Sequence, residues 1–237
     1  MNYPEWLMIE TTSVCNLKCV MCTHSSDNFG RPKTHLSEKY FDQLVKYVEN
    51  AKSIQLHGIG EPTLSPIFWR FLNHLSDECW SSINTNLVNI NDDQLYNLVT
   101  SKLRYITISI DSPVNDSYYK IRGADLNVVI NNIKRLIDFK TKFNSNLAIS
   151  LNMTIMKENV TQLKEAIDLC SNIGVPILDT WPLNNWTGEY LNRDIRGFEF
   201  VYEEQIPVTF KEMYNEKVSE ALEYSKEKNV KFTYYLI

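Results

Sequence analysis

Residues 105–153 decide the fold of this chain, because two strand-like runs flank one long helical pattern. The first run is YITISI at 105–110, and the second is AISLNM at 148–153. The first run is rich in β-branched residues, which favour strands, and both runs are short and mainly apolar. Between them, apolar side chains recur at helical spacing over 126–142, which predicts an amphipathic helix. Two strands joined by a helix indicate a parallel βα unit with a right-handed crossover.

The same order of strand, polar loop and helix recurs on both sides of this stretch. We predict further strands at 6–9, 53–58, 80–83 and 175–180, and further helices at 37–48, 67–75, 91–99 and 160–170, with Ser37 and Asn91 as N-caps. Six such strands favour an α/β fold with parallel strands. The pattern fits a partial (β/α) barrel or an open doubly wound sheet. In both, function belongs at the carboxyl ends of the strands.

Composition excludes several classes of protein. The 237 residues carry a formal net charge of −5 and are 43% hydrophobic, which predicts a globular chain without a general electrostatic footprint for nucleic acid. No apolar run is long enough to span a membrane. The N-terminus does not read as a signal peptide, so we expect a cytoplasmic protein whose five cysteines are reduced.

Three of the five cysteines lie within eight residues, in the loop after the first strand. Cys15, Cys19 and Cys22 have the spacing C-x-x-x-C-x-x-C. Thiolates are soft ligands that select zinc or an iron–sulfur cluster. Structural zinc needs a fourth protein ligand, for which His24 is a candidate. A four-iron cluster held by three cysteines leaves one iron open to a small molecule. The spacing alone leaves both metals open.

The segment CNLKCVMC at 15–22 resembles the signature of the radical S-adenosylmethionine (SAM) superfamily. Later positions resemble the motifs of that family in the expected order, at the carboxyl ends of the predicted strands: GIGEP at 58–62, NTN at 84–86, SID at 109–111 followed by YYKIRG at 118–123, and Asn152. The resemblance runs from about residue 8 to residue 181. It implies an α/β fold, a partial (β/α)6 TIM-like barrel over residues 1–183. We expect residues 184–237 to form a short helix-strand extension that closes the barrel.

The resemblance also implies the cofactors and their ligands. Cys15, Cys19 and Cys22 would hold one [4Fe–4S] cluster, and SAM would chelate its fourth iron. One electron would then split SAM into methionine and a 5′-deoxyadenosyl radical, which takes a hydrogen atom from the substrate. The residues that the resemblance assigns to SAM binding are Met21, Gly58, Gly60, Glu61, Pro62, Asn84, Thr85, Ser109, Arg122 and Asn152.

Three positions depart from the family pattern. Met21 precedes the third cysteine, where relatives often have an aromatic residue. Ile59 stands at the first glycine of the strand-2 motif, and Leu87 stands where the strand-3 motif usually has glycine. None of the three removes a predicted cluster ligand.

A few other side chains at strand ends are candidates for substrate contact: His57, Tyr118, Trp181 and Trp186. Packing at the barrel mouth explains each of them at least as well. Cys79 and Cys170 precede strands, on the side away from the predicted site, and are expected to be buried packing thiols.

The order of motifs most resembles the SPASM/twitch branch, whose members bind auxiliary clusters in a C-terminal domain. No cysteine follows Cys170 here, so we expect no auxiliary cluster in this chain, and whether the native protein continues past Ile237 is open. The resemblance implies a peptide or a small polar metabolite as substrate, with flavodoxin or ferredoxin as electron donor and no nucleic acid or membrane partner. The alternatives are a single-cluster enzyme acting on a nucleotide or sugar, and a metal-binding accessory module without turnover.

Overall fold

The computed structural model describes residues 3–26, 30–184 and 192–237. Its parallel strands are β1 Trp6–Met8, β2 Ser53–Gln55, β3 Trp80–Thr85, β4 Tyr105–Ser109, β5 Ala148–Ile155, β6 Ile177–Pro182 and β9 Lys231–Thr233, and the antiparallel pair is β7 Arg193–Ile195 and β8 Phe198–Phe200. Its α-helices are α1 Glu38–Asn50, α2 Pro66–Leu72, α3 Asp92–Thr100, α4 Asn115–Arg122, α5 Leu126–Lys142, α6 Leu163–Ile173, α7 Tyr202–Gln205 and α8 Lys211–Glu227. Strands and helices alternate from β1 to β6, as the α/β prediction requires.

The chain forms two compact units. The first comprises residues 1–16, 30–108 and 131–148, and the second comprises residues 17–29, 109–130 and 149–237. The boundary predicted after residue 183 is a different division of the chain, and it stays a prediction.

In the first unit, β1 to β4 pair in sequence order and in parallel. Ile83 on β3 and Ile106 on β4 are buried and directly opposite each other, and Ile54 on β2 is buried as well. The helices bury their apolar faces as well, and the rings of Phe41 and Phe71 on α1 and α2 lie 4.8 Å apart. This packing fixes the ends of the strands from which the candidate loops extend.

The sequence rules for helix ends hold at one predicted cap and only partly at the other. Asn91 Oδ1 accepts a 2.9 Å hydrogen bond from the backbone of Gln94, and the Gln94 side chain accepts one from the backbone of Asn91. This reciprocal capping box confirms the predicted start of α3. Ser37 does precede α1, but its side chain makes no capping hydrogen bond.

In the second unit, β5, β6 and β9 pair in parallel, and β7 and β8 form an antiparallel hairpin. α6 packs against α8, and both bury an apolar face that includes Ile167, Cys170, Tyr214 and Val218. α6 begins three residues later than predicted, because residues 160–162 form a turn of 3-10 helix. Gly174, in the left-handed region at φ 76°, ends α6.

Among the described residues, α4, the β7–β8 hairpin and the four-residue helix α7 were not predicted. α4 was missed because only two of its apolar residues, Tyr118 and Ile121, are buried, which leaves a weak helical pattern. The β7–β8 hairpin was missed because its strands have three residues each. None of the described helices has the length and apolar composition needed to cross a bilayer.

Candidate functional site

The three clustered cysteines lie in the segment after β1. All five cysteines of the chain are thiols rather than disulfides; Cys15 and Cys22 are partly exposed and Cys19 is buried. Cys15 belongs to the first unit, whereas Cys19 and Cys22 belong to the second. A short 3-10 helix, Thr23–Ser25, follows Cys22 and contains the buried His24.

The donor chemistry of this segment suits a soft metal centre. Three thiols within eight residues, two of them partly accessible, match the ligand type that iron–sulfur clusters and zinc prefer. Across residues 3–26, 30–184 and 192–237, no group of three His, Cys, Asp or Glu side chains is arranged to hold a metal ion. The ligand set therefore stays a prediction.

Asn86 stands beside Cys15 in the first unit. Its Nδ2 lies 4.0 Å from Cys15 Sγ and donates a 2.9 Å hydrogen bond to Asn16 Oδ1. Hydrogen bonds to cysteine sulfur tune the potential of iron–sulfur clusters. Asn86 belongs to the NTN segment, but no contact with Cys15 was predicted for it, because 71 residues separate the two.

The loop after β2 has glycine at two positions where residues 10–14 lie close against it. A Cβ at Gly60 would overlap the carbonyl oxygen of Thr12 and would lie 2.7 Å from that of Val14. A Cβ at Gly58 would overlap the side chain of Glu10, whose Oε1 accepts a 2.8 Å hydrogen bond from the backbone of Ile59. Glycine therefore fits both positions, because the backbone of Thr12 and Val14 leaves no room for a side chain at Gly60 and the Glu10 side chain leaves none at Gly58.

Glu61 ties this loop to the end of β3. Its Oε1 accepts hydrogen bonds from Thr85 Oγ1 at 2.6 Å and from Thr63 Oγ1 at 2.8 Å, and its Oε2 accepts one from the backbone of Asn86 at 2.7 Å. Burial raises the pKa of the Glu61 carboxyl, and these hydrogen bonds oppose the shift. The next residue, Pro62, begins a short 3-10 helix. The predicted SAM-binding residues Glu61 and Thr85 thus act together to hold two loops.

Asp111 and Arg122 form a buried ion pair in the second unit. Arg122 Nε donates to Asp111 Oδ2 at 2.6 Å, while Asp111 Oδ1 accepts from the backbone of Thr154 at 2.7 Å. Burial acts to lower the pKa of Arg122, but the charge and hydrogen bond of Asp111, together with the neighbouring Cys19 and Tyr118, outweigh it, so the pKa is raised. The guanidinium predicted to face SAM therefore already has one carboxylate partner.

The segment 19–22 packs against the C-terminal end of α4. Cys19 Sγ lies 4.0 Å from the carbonyl oxygen of Arg122, and the backbone of Val20 donates a 2.9 Å hydrogen bond to that of Ile121. Met21 packs against a buried apolar cluster that contains Val20, Ile121 and Phe200. The residues between the cysteines are thereby anchored on their apolar side.

Of the remaining predicted SAM contacts, Asn84 and Ser109 lie at the ends of their strands, whereas Asn152 lies inside β5, which continues to Ile155. Ser109 ends β4 and is partly exposed, and Asn84 on β3 is exposed. Asn152 on β5 donates a 3.4 Å hydrogen bond from Nδ2 to the carbonyl of Asp179, and its own carbonyl accepts from Ile110. Their contacts with SAM stay predictions.

The candidate substrate residues are placed differently from one another. His57 follows β2 and is partly buried, and burial lowers its pKa. Tyr118 is completely buried on α4. Trp181 on β6 is half exposed, and its ring lies 4.7 Å from that of Tyr235. Trp186 lies outside the described residues.

Comparison with known proteins decides the family. The radical SAM superfamily model matches residues 9–176, which include every cysteine and loop described above. The chain belongs to the radical SAM superfamily.

The individual relatives have low sequence identity to this chain. The chain is 28% identical over 210 residues to the tungsten-containing aldehyde ferredoxin oxidoreductase cofactor-modifying protein of Pyrococcus furiosus, covering 86% of this chain and 57% of that protein. It is 26% identical over 185 residues to the mycofactocin maturase MftC of Mycobacterium tuberculosis, covering 75% of this chain and 44% of that protein. The chain thus spans about half the length of these curated relatives.

Solved structures show the same fold. SuiB of Streptococcus suis, solved with S-adenosylmethionine, is 18% identical with a TM-score of 0.72, over 98% of this chain and 50% of SuiB. SuiB bound to its precursor peptide SuiA gives a TM-score of 0.73 at 17% identity, over 98% of this chain and 49% of SuiB. This likeness confirms the predicted α/β fold class.

The departure from the superfamily pattern at Leu87 has a visible backbone consequence. Leu87 is fully buried at φ 52°, in the left-handed region that favours glycine. Its backbone N–H donates a 3.0 Å hydrogen bond to Thr85 Oγ1, and its carbonyl accepts one of 2.9 Å from Asn132 Nδ2. The glycine that the superfamily usually has here therefore matches the conformation that this chain imposes on leucine.

Cys79 and Cys170 have the environment of packing thiols. Both are almost completely buried, and burial raises the pKa of Cys79 and that of Cys170, the latter to about 12. A thiol with a raised pKa is a poor metal ligand and a poor nucleophile. These positions agree with the packing role predicted from the sequence.

Proposed function

We propose that this chain is the catalytic part of a radical SAM enzyme that binds one [4Fe–4S] cluster through Cys15, Cys19 and Cys22, and that modifies a peptide. The observation that carries the proposal is the superfamily match over residues 9–176, which begins before the cysteine segment and extends beyond Asn152. When bound, the cluster and SAM supply one-electron cleavage of a sulfonium and a radical able to take a hydrogen atom from the substrate.

The protein's own residues would bind and orient these groups. Glu61 and Thr85 keep the loops after β2 and β3 in one arrangement, and the lack of a side chain at Gly60 lets backbone pass close by. Arg122, held by Asp111, would offer its remaining N–H groups to the SAM carboxylate. Ser109 and Asn152 would add polar contacts to the nucleoside.

Support for a peptide substrate comes from the relatives. MftC is named a mycofactocin maturase, and SuiB was solved with a precursor peptide. A small polar metabolite remains within the proposal, because the first relative named above modifies a cofactor according to its name. We propose a flavodoxin or ferredoxin as electron donor, since the proposed reaction consumes single electrons. We also propose a cytoplasmic location.

The test is anaerobic reconstitution with iron and sulfide, followed by metal analysis, electron paramagnetic resonance and assay of 5′-deoxyadenosine under dithionite. We expect about four irons per chain, a resonance that changes on addition of SAM, and 5′-deoxyadenosine even without substrate. Cys15→Ala, Cys19→Ala and Cys22→Ala should each abolish this product, whereas the matched controls Cys79→Ala and Cys170→Ala should retain it. A protein that takes up zinc instead of iron, or that leaves SAM intact, contradicts the proposal.

A further inference from the structure

The β7–β8 hairpin is closed by a turn whose first central residue is unusual. β7 ends at Ile195 and β8 begins at Phe198, so Arg196 and Gly197 form a two-residue turn with φ 56° and φ 68°. Positive φ at both positions defines a type I′ turn, which prefers Asn, Asp or Gly. Arginine at the first of these positions departs from this preference, which indicates that its side chain has another role.

The Arg196 side chain joins the cysteine segment to the end of α4. Its Nη1 donates a 3.0 Å hydrogen bond to the carbonyl of Lys18, and its Nη2 donates to the carbonyls of Lys120 at 2.8 Å and Ile121 at 3.2 Å. The last carbonyls of a helix have no partner within the helix and attract cations. A Cβ at the adjacent Gly123 would lie 2.8 Å from Arg196 Nη1, so the glycine leaves room for the guanidinium.

Arg193, on β7 of the same hairpin, joins the main chain of Cys19 to that of Cys22. Its Nη1 donates to the carbonyl of Cys19 at 3.0 Å, and its Nη2 donates to the carbonyl of Cys22 at 2.6 Å. The planar guanidinium fixes the distance between these two carbonyls, because both donors belong to one rigid group. A lysine ammonium is a compact point charge without this fork.

The apolar side of the hairpin packs on the same segment. Ile195, Phe198 and Phe200 join Val20 and Met21 in one apolar cluster. Residues 18–22 are therefore held by two guanidinium groups and by hydrophobic contact from one hairpin.

We propose that Arg193 and Arg196 are positioning residues that hold residues 18–22 in the one backbone conformation that receives the iron–sulfur cluster. Their side chains donate hydrogen bonds to the main-chain carbonyls of Lys18, Cys19 and Cys22, so they act on the backbone of the segment. Their two positive charges would also stabilise the added electron of the cluster and raise its potential. This inference rests on the proposed function for the cluster, but the conformation of the segment is measurable without it.

The first experiment is hydrogen–deuterium exchange on the iron-free protein. Arg193→Gln and Arg196→Gln should each speed exchange about tenfold in peptides covering residues 18–26, where the backbone of Val20 is bonded to that of Ile121. The matched control is Arg104→Gln, because Arg104 also donates to a main-chain carbonyl, that of Asp77 in the first unit. Equal exchange in all four proteins overturns the inference.

The second experiment is performed on reconstituted protein. Arg193→Gln should lower the midpoint potential of the cluster, because it removes a positive charge. Arg193→Lys keeps the charge but loses the planar pair of donors, so it should alter the resonance of the cluster. Wild-type potential and resonance in Arg193→Lys, together with unchanged exchange, overturn the inference. A wild-type protein that binds no iron overturns the proposed function instead, and the exchange data then decide the positioning role alone.

Discussion

Arg122 Nε lies 2.6 Å from Asp111 Oδ2, and the side chains expose only 10% and 0% of their surface. Asp111→Asn should lower the free energy of unfolding by about 3 kcal/mol, because it leaves a buried guanidinium without its countercharge. Urea denaturation followed by circular dichroism measures this loss. Glu5→Gln is the matched control, since it breaks the exposed pair with Lys52 and should leave the midpoint unchanged. Equal midpoints for the two variants would contradict a structural role for the buried pair.

The Glu61 carboxylate should not tolerate an amide in its place. Glu61→Gln brings N–H donors into a site whose neighbours, Thr85 Oγ1 and the backbone of Asn86, already donate. We expect a loss of about 1–3 kcal/mol in the free energy of unfolding, measured by urea denaturation. Glu49→Gln, at an exposed pair with His74, serves as control. A loss no larger than that of the control would show that the loops are held by other contacts.

Leu87→Gly separates backbone strain from packing at one position. Glycine relieves the left-handed conformation by about 1 kcal/mol, but it also removes a completely buried side chain, which costs about 2–5 kcal/mol for leucine truncation to alanine. Packing should win, so the variant should unfold at lower temperature than the wild type. Leu87→Ala should be less stable than Leu87→Gly, because alanine keeps the strain and loses nearly the same packing. The reverse order would refute the strain argument.

Alkylation should distinguish the cysteines of the loop from the packing cysteines. In native iron-free protein, iodoacetamide should label the partly exposed Cys15 and Cys22 at least tenfold faster than Cys79 and Cys170. Burial raises the pKa of Cys170 to about 12, which leaves almost no thiolate at neutral pH. Mass spectrometry of tryptic peptides measures the rates, and labelling in urea shows that all sites are reactive when unfolded. Equal native rates would contradict the burial of Cys79 and Cys170.

Stability should fall as the solution is acidified below pH 6.5, and His57 should account for part of the loss. Burial lowers the pKa of His57 from 6.5, and among the described residues its Nδ1 has no hydrogen-bond partner. Below pH 6.5 the unfolded chain therefore takes up a proton that the folded chain resists, at up to about 1.4 kcal/mol per pH unit. Thermal unfolding between pH 7.5 and pH 5.5 should slope less steeply for His57→Gln. Identical slopes would exclude His57 as the source.

The sequence predicted those parts of the fold in which one strong local pattern repeats. α5 was predicted with its observed bounds, residues 126–142, because it presents a long apolar face at helical spacing. Asn91 was recognised because its capping partner lies three residues away. Contacts such as Arg193 with Cys19 have no local signal, since 174 residues separate them and the hairpin that joins them follows no common turn sequence.

The candidate site was predicted to a similar extent. Cys15, Cys19, Cys22 and Glu61 could be singled out because their spacing and sequence neighbours are themselves the signal, and their roles toward the cluster and SAM stay predictions. The position of Asn86 beside Cys15 was not predicted, because the contact depends on the direction of the Asn86 side chain. The ion pair of Asp111 with Arg122 was likewise not predicted, because it depends on the position of α4 relative to the loop before it.

The two-residue turn at Arg196 and Gly197 constrains how the length of this chain can change. A single residue inserted between them would shift the pairing of Arg193 with Phe200 and turn alternate side chains to the opposite face of the hairpin. Both guanidinium groups would then lose their carbonyl partners at once. Homologous or engineered versions of the chain should therefore tolerate deletions, epitopes and fluorescent labels in other surface loops sooner than in this one.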